Sequence, residues 1–164
     1  MSNRPLLAAI CKQLINGMQG LHEQAGYAHM DIKLENILIA DDGTLKFCDF
    51  GFAQPTNSFV NMKMGTPNYM APEMHQAAEM PCKAQQTDIF SLGVVFFMLA
   101  FGAPPFHSAV NTDSFYSFLA LQPGNINFFR FHPHTRSLFS SKKIPQSFMD
   151  LLLKMLMVKP GDRV

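Results

Sequence analysis

Cysteine is scarce in this chain, and its cysteines are not grouped. The three cysteines among the 164 residues, Cys11, Cys48 and Cys82, lie far apart and form no Cys-x-x-Cys pair. An odd, scattered set of thiols argues against a disulfide framework and against a zinc site. The N-terminus also lacks the apolar run of a secretory signal. The sequence therefore favours an intracellular protein, most simply a cytoplasmic one.

Net charge and long apolar runs are scarce as well. The formal net charge is +1, which gives no long-range field to attract nucleic acid or an anionic membrane, so neither is expected as a partner. The segment 89–112 carries no charge, but Gly102 and the two prolines after it interrupt the segment. Its continuous apolar part, about 12 residues, is shorter than the roughly 20 that cross a bilayer, so no membrane span is expected.

The apolar residues that are present predict helices. Their three- and four-residue steps predict a helix over residues 5–25, and a stretch that is apolar on every face predicts a buried helix from Thr87 or Asp88 to Phe101. A short helix is expected near 113–121. A last helix is expected from Ser147 through Leu156, with Ser-x-x-Asp as its capping signal.

Between these helices the sequence predicts one hairpin and two irregular segments. Two β-rich runs, 37–39 and 45–48, flank an Asp-Gly turn and predict a β-hairpin. Residues 52–70 have little periodicity and predict a long loop, and the aromatic-rich residues 128–131 also read as irregular. The expected fold class is mainly α, a helical bundle with one small hairpin and one long loop. Residues 1–164 form a single unit without a repeat or linker.

Three short motifs carry the functional signal. They occur in a fixed order: the polar segment 29–36 (His-Met-Asp-Ile-Lys-Leu-Glu-Asn), then Asp-Phe-Gly at 49–51, then Ala-Pro-Glu at 71–73. Transfer of a phosphoryl group to a hydroxyl needs a carboxylate that orients the hydroxyl, metal ions on the phosphates, and compensation of the developing charge. In this pattern Asp31 can accept the proton and Lys33 can meet the phosphate. Asn36 and Asp49 offer hard oxygen ligands to Mg²⁺.

These motifs resemble those of the eukaryotic-type protein kinases. Residues 5–164 resemble the C-terminal catalytic lobe of that family, with the loop at 52–70 as its activation-type loop. The resemblance implies ATP and Mg²⁺ as cofactors and assigns a role to each matching position. The implied catalytic residues are Asp31, Lys33 and Thr66; the implied cofactor-binding residues are Asn36, Leu38 and Asp49, with Asn36 and Asp49 as metal ligands. The implied structural residues are His29, Phe50, Gly51, Glu73, Asp88 and Arg163.

The resemblance also implies a substrate class and two structural contacts. Lys33 and the segment 65–70 are similar to serine/threonine kinases, so the implied partner is a protein with a Ser or Thr acceptor. Arg163 is expected to pair with Glu73. Asp88 is expected to anchor the backbone of the catalytic loop, to cap its own helix, or to do both. His22, His75, His107, His132 and His134 lack metal-ligand spacing, and no role is assigned to them.

Two features depart from the family pattern. Met30 stands where the family most often has an Arg that binds a phosphate on the activation segment. We therefore expect weak or absent control by phosphorylation at Thr56 or Ser58. Residues 1–28 contain no Gly-x-Gly-x-x-Gly turn and no strand Lys with its helix Glu, so half of the nucleotide cleft is missing.

The second departure leads to three alternatives. In the first, the chain is a fragment of a kinase, a partial gene model or a truncated paralogue; it is expected to be inactive alone and to need a partner that supplies the N-terminal lobe. Alternatively it is a non-catalytic, pseudokinase-like protein-binding module that docks proteins around residues 60–75 and 104–135. As a third alternative it is a remnant without function. In the plainest interpretation, Asp31, Asn36 and Asp49 are ordinary turn and cap residues.

Overall fold

The computed structural model describes residues 4–60, 64–75 and 82–164. In the described part of the chain, the strands, each of two or three residues, lie between the first helix and the central helix, and helices make up the C-terminal half. The helices are α1 (Arg4–Gln19), α2 (Pro72–His75), α3 (Ala84–Phe101), α4 (Ser114–Leu121), α5 (Asn127–Phe131), α6 (Arg136–Ser140) and α7 (Gln146–Met155). The strands are β1 (Tyr27–Ala28), β2 (Ile37–Ile39), β3 (Leu45–Phe47), β4 (Gln54–Pro55), β5 (Phe59–Val60) and β6 (Cys82–Lys83). The predicted mainly α fold class is confirmed.

The N-terminal helix agrees with its prediction and ends in an unusual turn. α1 buries Cys11, Leu14 and Met18 on one face, as its apolar spacing requires. It continues as one turn of π-helix over residues 20–24, closed by a hydrogen bond from the Ala25 N–H to the Gly20 carbonyl at 3.0 Å. A glycine in the left-handed region, Gly26 with φ +75°, then ends the helix.

The predicted β-hairpin is formed by β2 and β3. These antiparallel strands pair Ile37 with Phe47 and Ile39 with Leu45. At the turn, the Asp42 carboxylate accepts a hydrogen bond from the Thr44 N–H at 2.9 Å. The hairpin therefore lies where the Asp-Gly signal predicted it.

The long loop predicted at 52–70 contains two strand pairings that the sequence did not predict. β4 pairs with β1 and β5 pairs with β6, and each pairing has two residues per strand. Such short strands have no periodic pattern of their own, because their partners lie far away in the chain. Residues 61–63, which belong to this loop and to the predicted docking surface, lie outside the described residues, as do residues 1–3 and 76–81.

α3 is the central helix, and its start differs from the prediction. It begins at Ala84, three or four residues before the predicted Thr87 or Asp88, and it buries residues on all faces, including Phe90, Phe96 and Phe97. In the described part of the chain, α3 alone has the length and composition of a bilayer-spanning helix, and 67% of it is buried inside the protein. The core helix of a soluble protein has the same properties, so this is weak evidence for a span.

The C-terminal region corrects two predictions. The segment 128–131, predicted as irregular, belongs to α5, because Phe128 and Phe129 pack into the core with 1% exposure each and this packing overrides their weak helix propensity. The predicted Ser147 cap is wrong. α7 begins at Gln146 after Pro145, and the Gln146 side chain donates to the Asp150 carboxylate at 2.8 Å. The predicted helix near 113–121 is confirmed as α4, with Asp113 as its N-cap.

Candidate functional site

Asp31 is the centre of a compact hydrogen-bond cluster. Its carboxylate accepts from Lys33 Nζ at 2.5 Å and from Thr66 Oγ1 at 2.8 Å, and Lys33 Nζ also donates to Thr66 Oγ1 at 3.0 Å. The Asn36 amide donates to the Asp31 carbonyl at 2.9 Å and to its carboxylate at 3.2 Å. Asp31 and Lys33, from the same polar segment as Asn36, thus contact Thr66, which lies 35 and 33 positions further along the chain.

Electrostatics keep the Asp31 carboxyl group ionised. Burial alone raises the pKa of Asp31, which is 6% exposed, but the hydrogen bonds from Lys33 and Thr66 and the charge of Lys33 outweigh burial and lower that pKa below its ordinary value. Conversely, the hydrogen bond to Asp31 raises the pKa of Lys33. The cluster is therefore a carboxylate and an ammonium bridged by a hydroxyl.

Asn36 and Asp49 lie at the open end of the hairpin, one on each arm. The Cys48 N–H donates to the Asn36 carbonyl at 3.0 Å, just beyond the paired residues Ile37 and Phe47, and Asp49 is the residue after Cys48. Asp49 is exposed with φ +62°, and its carboxylate accepts from the Gly51 N–H at 3.4 Å. Within residues 4–60, 64–75 and 82–164, no group of three or more His, Cys, Asp or Glu side chains could hold a metal.

Asp88 binds the backbone of the segment that carries Asp31. Its carboxylate accepts from the His29 N–H at 2.6 Å and from the Met30 N–H at 2.8 Å. α3 begins at Ala84, so Asp88 lies inside the helix and is not its N-cap. Of the two interpretations left open by the sequence, the cap is wrong and the contact to the loop backbone is present.

Two residues close to Asp31, Met30 and Gly65, have backbone conformations with positive φ. Met30 has φ +69°, in the left-handed region that side chains disfavour. Gly65 has φ +99°, and a Cβ there would come within 3.0 Å of the Met30 carbonyl oxygen. Glycine at this position therefore lets Thr66 approach Asp31 closely.

Three of the predicted positions lie around the hairpin face. The His29 ring packs against the Phe50 ring with centroids 4.9 Å apart, and its Nε2 contacts the Cys48 carbonyl at 2.9 Å. Phe50 is nevertheless 48% exposed, and Leu38 on β2 is 55% exposed. Ile39 and Phe52 are also exposed, at 75% and 48%, and we refer to these four exposed apolar side chains, in and just after the hairpin, as the hairpin face.

Two further contacts involve residues to which the sequence assigned no role. The His22 imidazole lies 2.9 Å from the Asp88 carboxylate, and the Tyr69 hydroxyl donates to the Glu35 carboxylate at 3.3 Å. The first contact spans 66 positions, so no local spacing could have indicated it. Arg163 and Glu73, in contrast, pair as the resemblance implied, at 2.6 Å.

Comparison with known proteins identifies the family. Residues 2–164 match the family model described as protein kinase domain. The chain belongs to the protein kinase family. The serine/threonine-protein kinase PAK mbt of Drosophila melanogaster is 34% identical to this chain over 160 residues. These residues are 96% of this chain and 22% of the Drosophila protein. The serine/threonine-protein kinase CHK1 of Saccharomyces cerevisiae is 33% identical over 159 residues, which are 93% of the chain and 28% of that protein.

A fungal relative matches a shorter part of the kinase chain more closely. The serine/threonine-protein kinase ste20 of Emericella nidulans is 39% identical over 107 residues, which are 63% of the chain and 12% of that protein. All three relatives are named serine/threonine-protein kinases, which supports that class at the level of the family. The chain spans between 12% and 28% of the length of these relatives.

Proposed function

We propose that this chain is the catalytic lobe of a serine/threonine protein kinase, which transfers the γ-phosphoryl group of ATP to a Ser or Thr hydroxyl of a protein. The observation that carries the proposal is the Asp31 carboxylate, held between Lys33, Thr66 and Asn36 by hydrogen bonds of 2.5 to 3.2 Å. Catalysis of phosphoryl transfer depends mainly on positioning and charge, and this cluster supplies both.

In the proposed mechanism Asp31 orients the acceptor hydroxyl and accepts its proton. Its lowered pKa keeps it ionised, so it accepts a hydrogen bond from the hydroxyl at every pH near neutrality. The Lys33 ammonium, bound to the same carboxylate, offsets the negative charge that develops on the transferred group. Thr66 fixes the distance between Asp31 and Lys33, since its hydroxyl contacts both.

The proposed metal site consists of Asn36 and Asp49. Their amide and carboxylate oxygens are the hard ligands that Mg²⁺ prefers, and two protein ligands suffice for an ion that keeps waters and binds phosphates. When bound, the ion neutralises charge on the ATP phosphates. The residues of the chain contribute the rest: Asn36 links this site to Asp31, because its amide donates to that residue at 2.9 Å.

The hairpin face supports the view that the site is half of a cleft. Leu38, Ile39, Phe50 and Phe52 are 48% to 75% exposed. Four large apolar side chains exposed within 15 residues are typical of a region that a partner or another domain covers. We propose that an N-terminal lobe covers the hairpin face, that Leu38 lies under the adenine ring, and that residues 4–164 alone are inactive. The three free thiols are compatible with the proposed intracellular, cytoplasmic location.

The hairpin face also favours a second candidate, a non-catalytic protein-binding module. In that case a docking protein covers the same apolar side chains, and Asp31 keeps its contacts without performing chemistry. The two candidates differ in one property. Only the first predicts that restoring a nucleotide-binding lobe restores phosphoryl transfer.

The decisive experiment uses a chimera. Its first part is the segment of the Drosophila relative that precedes the matching region, and its second part is residues 2–164 of this chain. Phosphoryl transfer by the chimera to a Ser/Thr peptide library is then measured. We expect transfer by this chimera, and a loss of about 10²- to 10⁴-fold for Asp31→Asn. Asp41→Asn, in the exposed hairpin turn, is the matched control and should retain activity. If the folded chimera transferred phosphoryl groups no faster than its Asp31→Asn variant, the kinase proposal would be refuted and the binding module would be favoured.

A further inference from the structure

We propose that an exposed surface on α4 and α5 binds an acidic segment of another protein, one that carries a large apolar side chain among its carboxylates. The surface consists of Phe118, Leu121, Arg130 and Phe131, and we call it the α4–α5 patch. It shares no residue with the hairpin face. Its role goes beyond the proposed function, because binding there requires neither ATP nor phosphoryl transfer.

The apolar part of the α4–α5 patch is a group of neighbouring side chains. Leu121 is 79% exposed and Phe131 is 60% exposed. Both are neighbours of the half-buried Phe118. The Phe131 ring centroid lies 5.7 Å from that of Phe118, and Leu121 follows Phe118 by three positions in α4, on the same side of the helix. Single exposed apolar side chains are ordinary, whereas a group joined through a common neighbour is typical of a binding surface.

The charge of the surrounding segment indicates what kind of partner fits the patch. Residues 114–149 contain none of the 12 acidic residues of the chain and four of its 13 lysines and arginines, namely Arg130, Arg136, Lys142 and Lys143. All four are exposed, and none of them forms an ion pair with a carboxylate that the structure describes. The net charge of +1 for the whole chain conceals this asymmetry. A positive segment without compensating carboxylates attracts an acidic partner.

Arg130 joins the charged part of the surface to the apolar part. Its guanidinium carbon lies 5.9 Å from the centre of the Phe131 ring, a cation–π arrangement that holds the charge beside the exposed aromatic side chain. Guanidinium N–H groups match the two oxygens of a carboxylate, and Phe131 offers apolar area directly beside them. A partner that presents a carboxylate next to Leu, Ile or Phe therefore satisfies both groups at once. Arginine and aromatic side chains are also the ones that contribute most to protein interfaces.

The backbone beneath the patch is already fixed, so binding requires little further ordering. The Asp113 carboxylate caps α4 by accepting from the Phe115 and Tyr116 N–H groups at 3.0 Å each. Phe129, 1% exposed, anchors α5 in the core, and the Thr135 hydroxyl donates to the Phe129 carbonyl at 2.7 Å. A surface held in this way loses little conformational entropy when a partner binds.

A protein segment fits the patch better than a membrane surface does. A helix that lies in a membrane interface presents an apolar face along its whole length. α4 instead buries Tyr116 and Leu119 and packs Phe115 against the core, so Leu121 and Phe131 are the strongly exposed apolar side chains of the patch. Two apolar side chains among basic ones suit a short acidic segment with one or two apolar anchors.

The test measures binding of short fluorescent peptides to the 164-residue chain by fluorescence anisotropy. Three synthetic pools are compared. The first combines Asp and Glu with Leu and Phe, the second combines Asp and Glu with Ser and Gly, and the third combines Gln with Leu and Phe. We expect the first pool to bind about tenfold more tightly than the others, since it alone offers both kinds of contact. Raising the salt concentration to about 0.5 M should weaken its binding several-fold.

Substitutions in the chain identify the residues that bind the first pool. Phe131→Ser and Arg130→Gln should each weaken binding about fivefold to tenfold, because one removes the apolar contact and the other removes the charge. If Phe131→Ser does not fold by circular dichroism, Leu121→Ser, at the more exposed position, replaces it. The matched controls are Phe59→Ser on β5, where the side chain is 66% exposed, and Lys12→Gln on α1, also exposed. Both should leave binding unchanged.

Four results would overturn the inference. Equal binding of the two acidic pools would show that charge alone attracts the peptides, and equal losses in Phe59→Ser and Phe131→Ser would place the contact elsewhere. The third is no binding of any pool at about 0.1 mM peptide. The fourth is binding to phosphatidylserine vesicles that Phe131→Ser abolishes and the acidic peptides do not compete, since the surface would then bind membranes. None of these measurements uses phosphoryl transfer, so an inactive chimera would refute the proposed function and leave the peptide result standing.

Discussion

Arg163 and Glu73, which are 90 positions apart, form a bidentate ion pair inside the protein. Nη1 binds Oε1 at 2.6 Å and Nη2 binds Oε2 at 2.7 Å, with side-chain exposures of 0% and 2%. The remaining guanidinium hydrogens are used as well: Nε donates to the Met157 carbonyl at 2.9 Å, Nη1 to the Gln86 carbonyl at 2.9 Å and Nη2 to the Val158 carbonyl at 3.2 Å. The pair therefore connects the segment after α7 with α2 and the start of α3.

Breaking this pair from one side should destabilise the fold strongly. Arg163→Met leaves the Glu73 carboxylate buried without its partner, and we expect the free energy of unfolding to fall by about 3–5 kcal/mol. Urea denaturation followed by circular dichroism measures this, with Arg136→Met on an exposed side chain as the control. The double variant Arg163→Met, Glu73→Leu should lose less than Arg163→Met alone. If the double variant lost as much free energy of unfolding as Arg163→Met, or more, the unpaired Glu73 carboxylate would not be the cause of the destabilisation.

Close packing of α3 on α7 yields a second prediction. A Cβ on Gly93 would lie 2.9 Å from the Met155 Cβ and 3.2 Å from a Leu156 methyl group. Gly93→Ala should therefore destabilise the protein by about 1–3 kcal/mol through overpacking, although alanine favours helix. Gly20→Ala, whose Cβ meets nothing within 4 Å, is the matched control. Thermal unfolding compares the two, and a Gly93→Ala variant as stable as the control would contradict the close approach.

The sequence predicted those parts of the fold that depend on local patterns. α1, the hairpin and α4 have clear apolar periodicity or an Asp-Gly turn, and all three are present. Where tertiary packing decides, the pattern failed: α5 is helical because Phe128 and Phe129 fit against Phe97, and α7 starts at Gln146 instead of Ser147. The strand pairings β1–β4 and β5–β6 join distant residues and have no local signature.

The sequence predicted which side chains form the candidate site, but it did not predict which other residues hold those side chains and their backbone in place. The motifs named Asp31, Lys33, Asn36 and Thr66, and the structure brings these four side chains together. His22 was missed because its partner, Asp88, is on another helix and a single histidine gives no spacing to read. Met30 was noticed as a departure, but its left-handed backbone follows from contacts with α3 and Gly65 that no motif encodes.

His132 should make the stability of the protein dependent on pH. Burial and, to a smaller extent, the neighbouring His134 together lower its pKa from the ordinary 6.5 to about 4. The side chain is 2% exposed, and its Nδ1 is buried without a hydrogen-bond partner. Above pH 6.5 both the folded and unfolded states are neutral at this group. Between pH 6.5 and 4 only the unfolded state binds the proton, so stability falls by about 3 kcal/mol over this range.

Urea titrations at several pH values test the contribution of His132. His132→Phe keeps an aromatic ring among Phe97, Phe115 and Phe128 but cannot titrate, so its stability should vary less between pH 6.5 and 4 than that of the wild type. His107→Gln, at an exposed position, should leave the profile unchanged. A His132→Phe profile parallel to that of the wild type would assign the acid sensitivity to other groups.

Activity of the chimera should not depend on phosphorylation of its activation-type loop. Met30, in place of an arginine, is 6% exposed, and its sulfur accepts a hydrogen bond from Thr87 Oγ1 at 3.3 Å. A thioether has no N–H to donate to a phosphate. Thr56 is itself buried, with its N–H 3.0 Å and its hydroxyl 3.4 Å from the Gly26 carbonyl. The β1–β4 pairing therefore holds this part of the loop without a phosphate.

Substitution of the two hydroxyl residues measures this independence. In the chimera, Thr56→Val and Ser58→Ala should each change kcat less than about threefold, since a positioned backbone rather than a charge pair holds the loop. Thr66→Val, which removes the hydroxyl between Asp31 and Lys33, should lower kcat by tenfold or more and shows that the assay responds to this region. A loss in Ser58→Ala as large as in Thr66→Val, together with phosphate on Ser58 by mass spectrometry, would mean that another cation replaces the missing arginine.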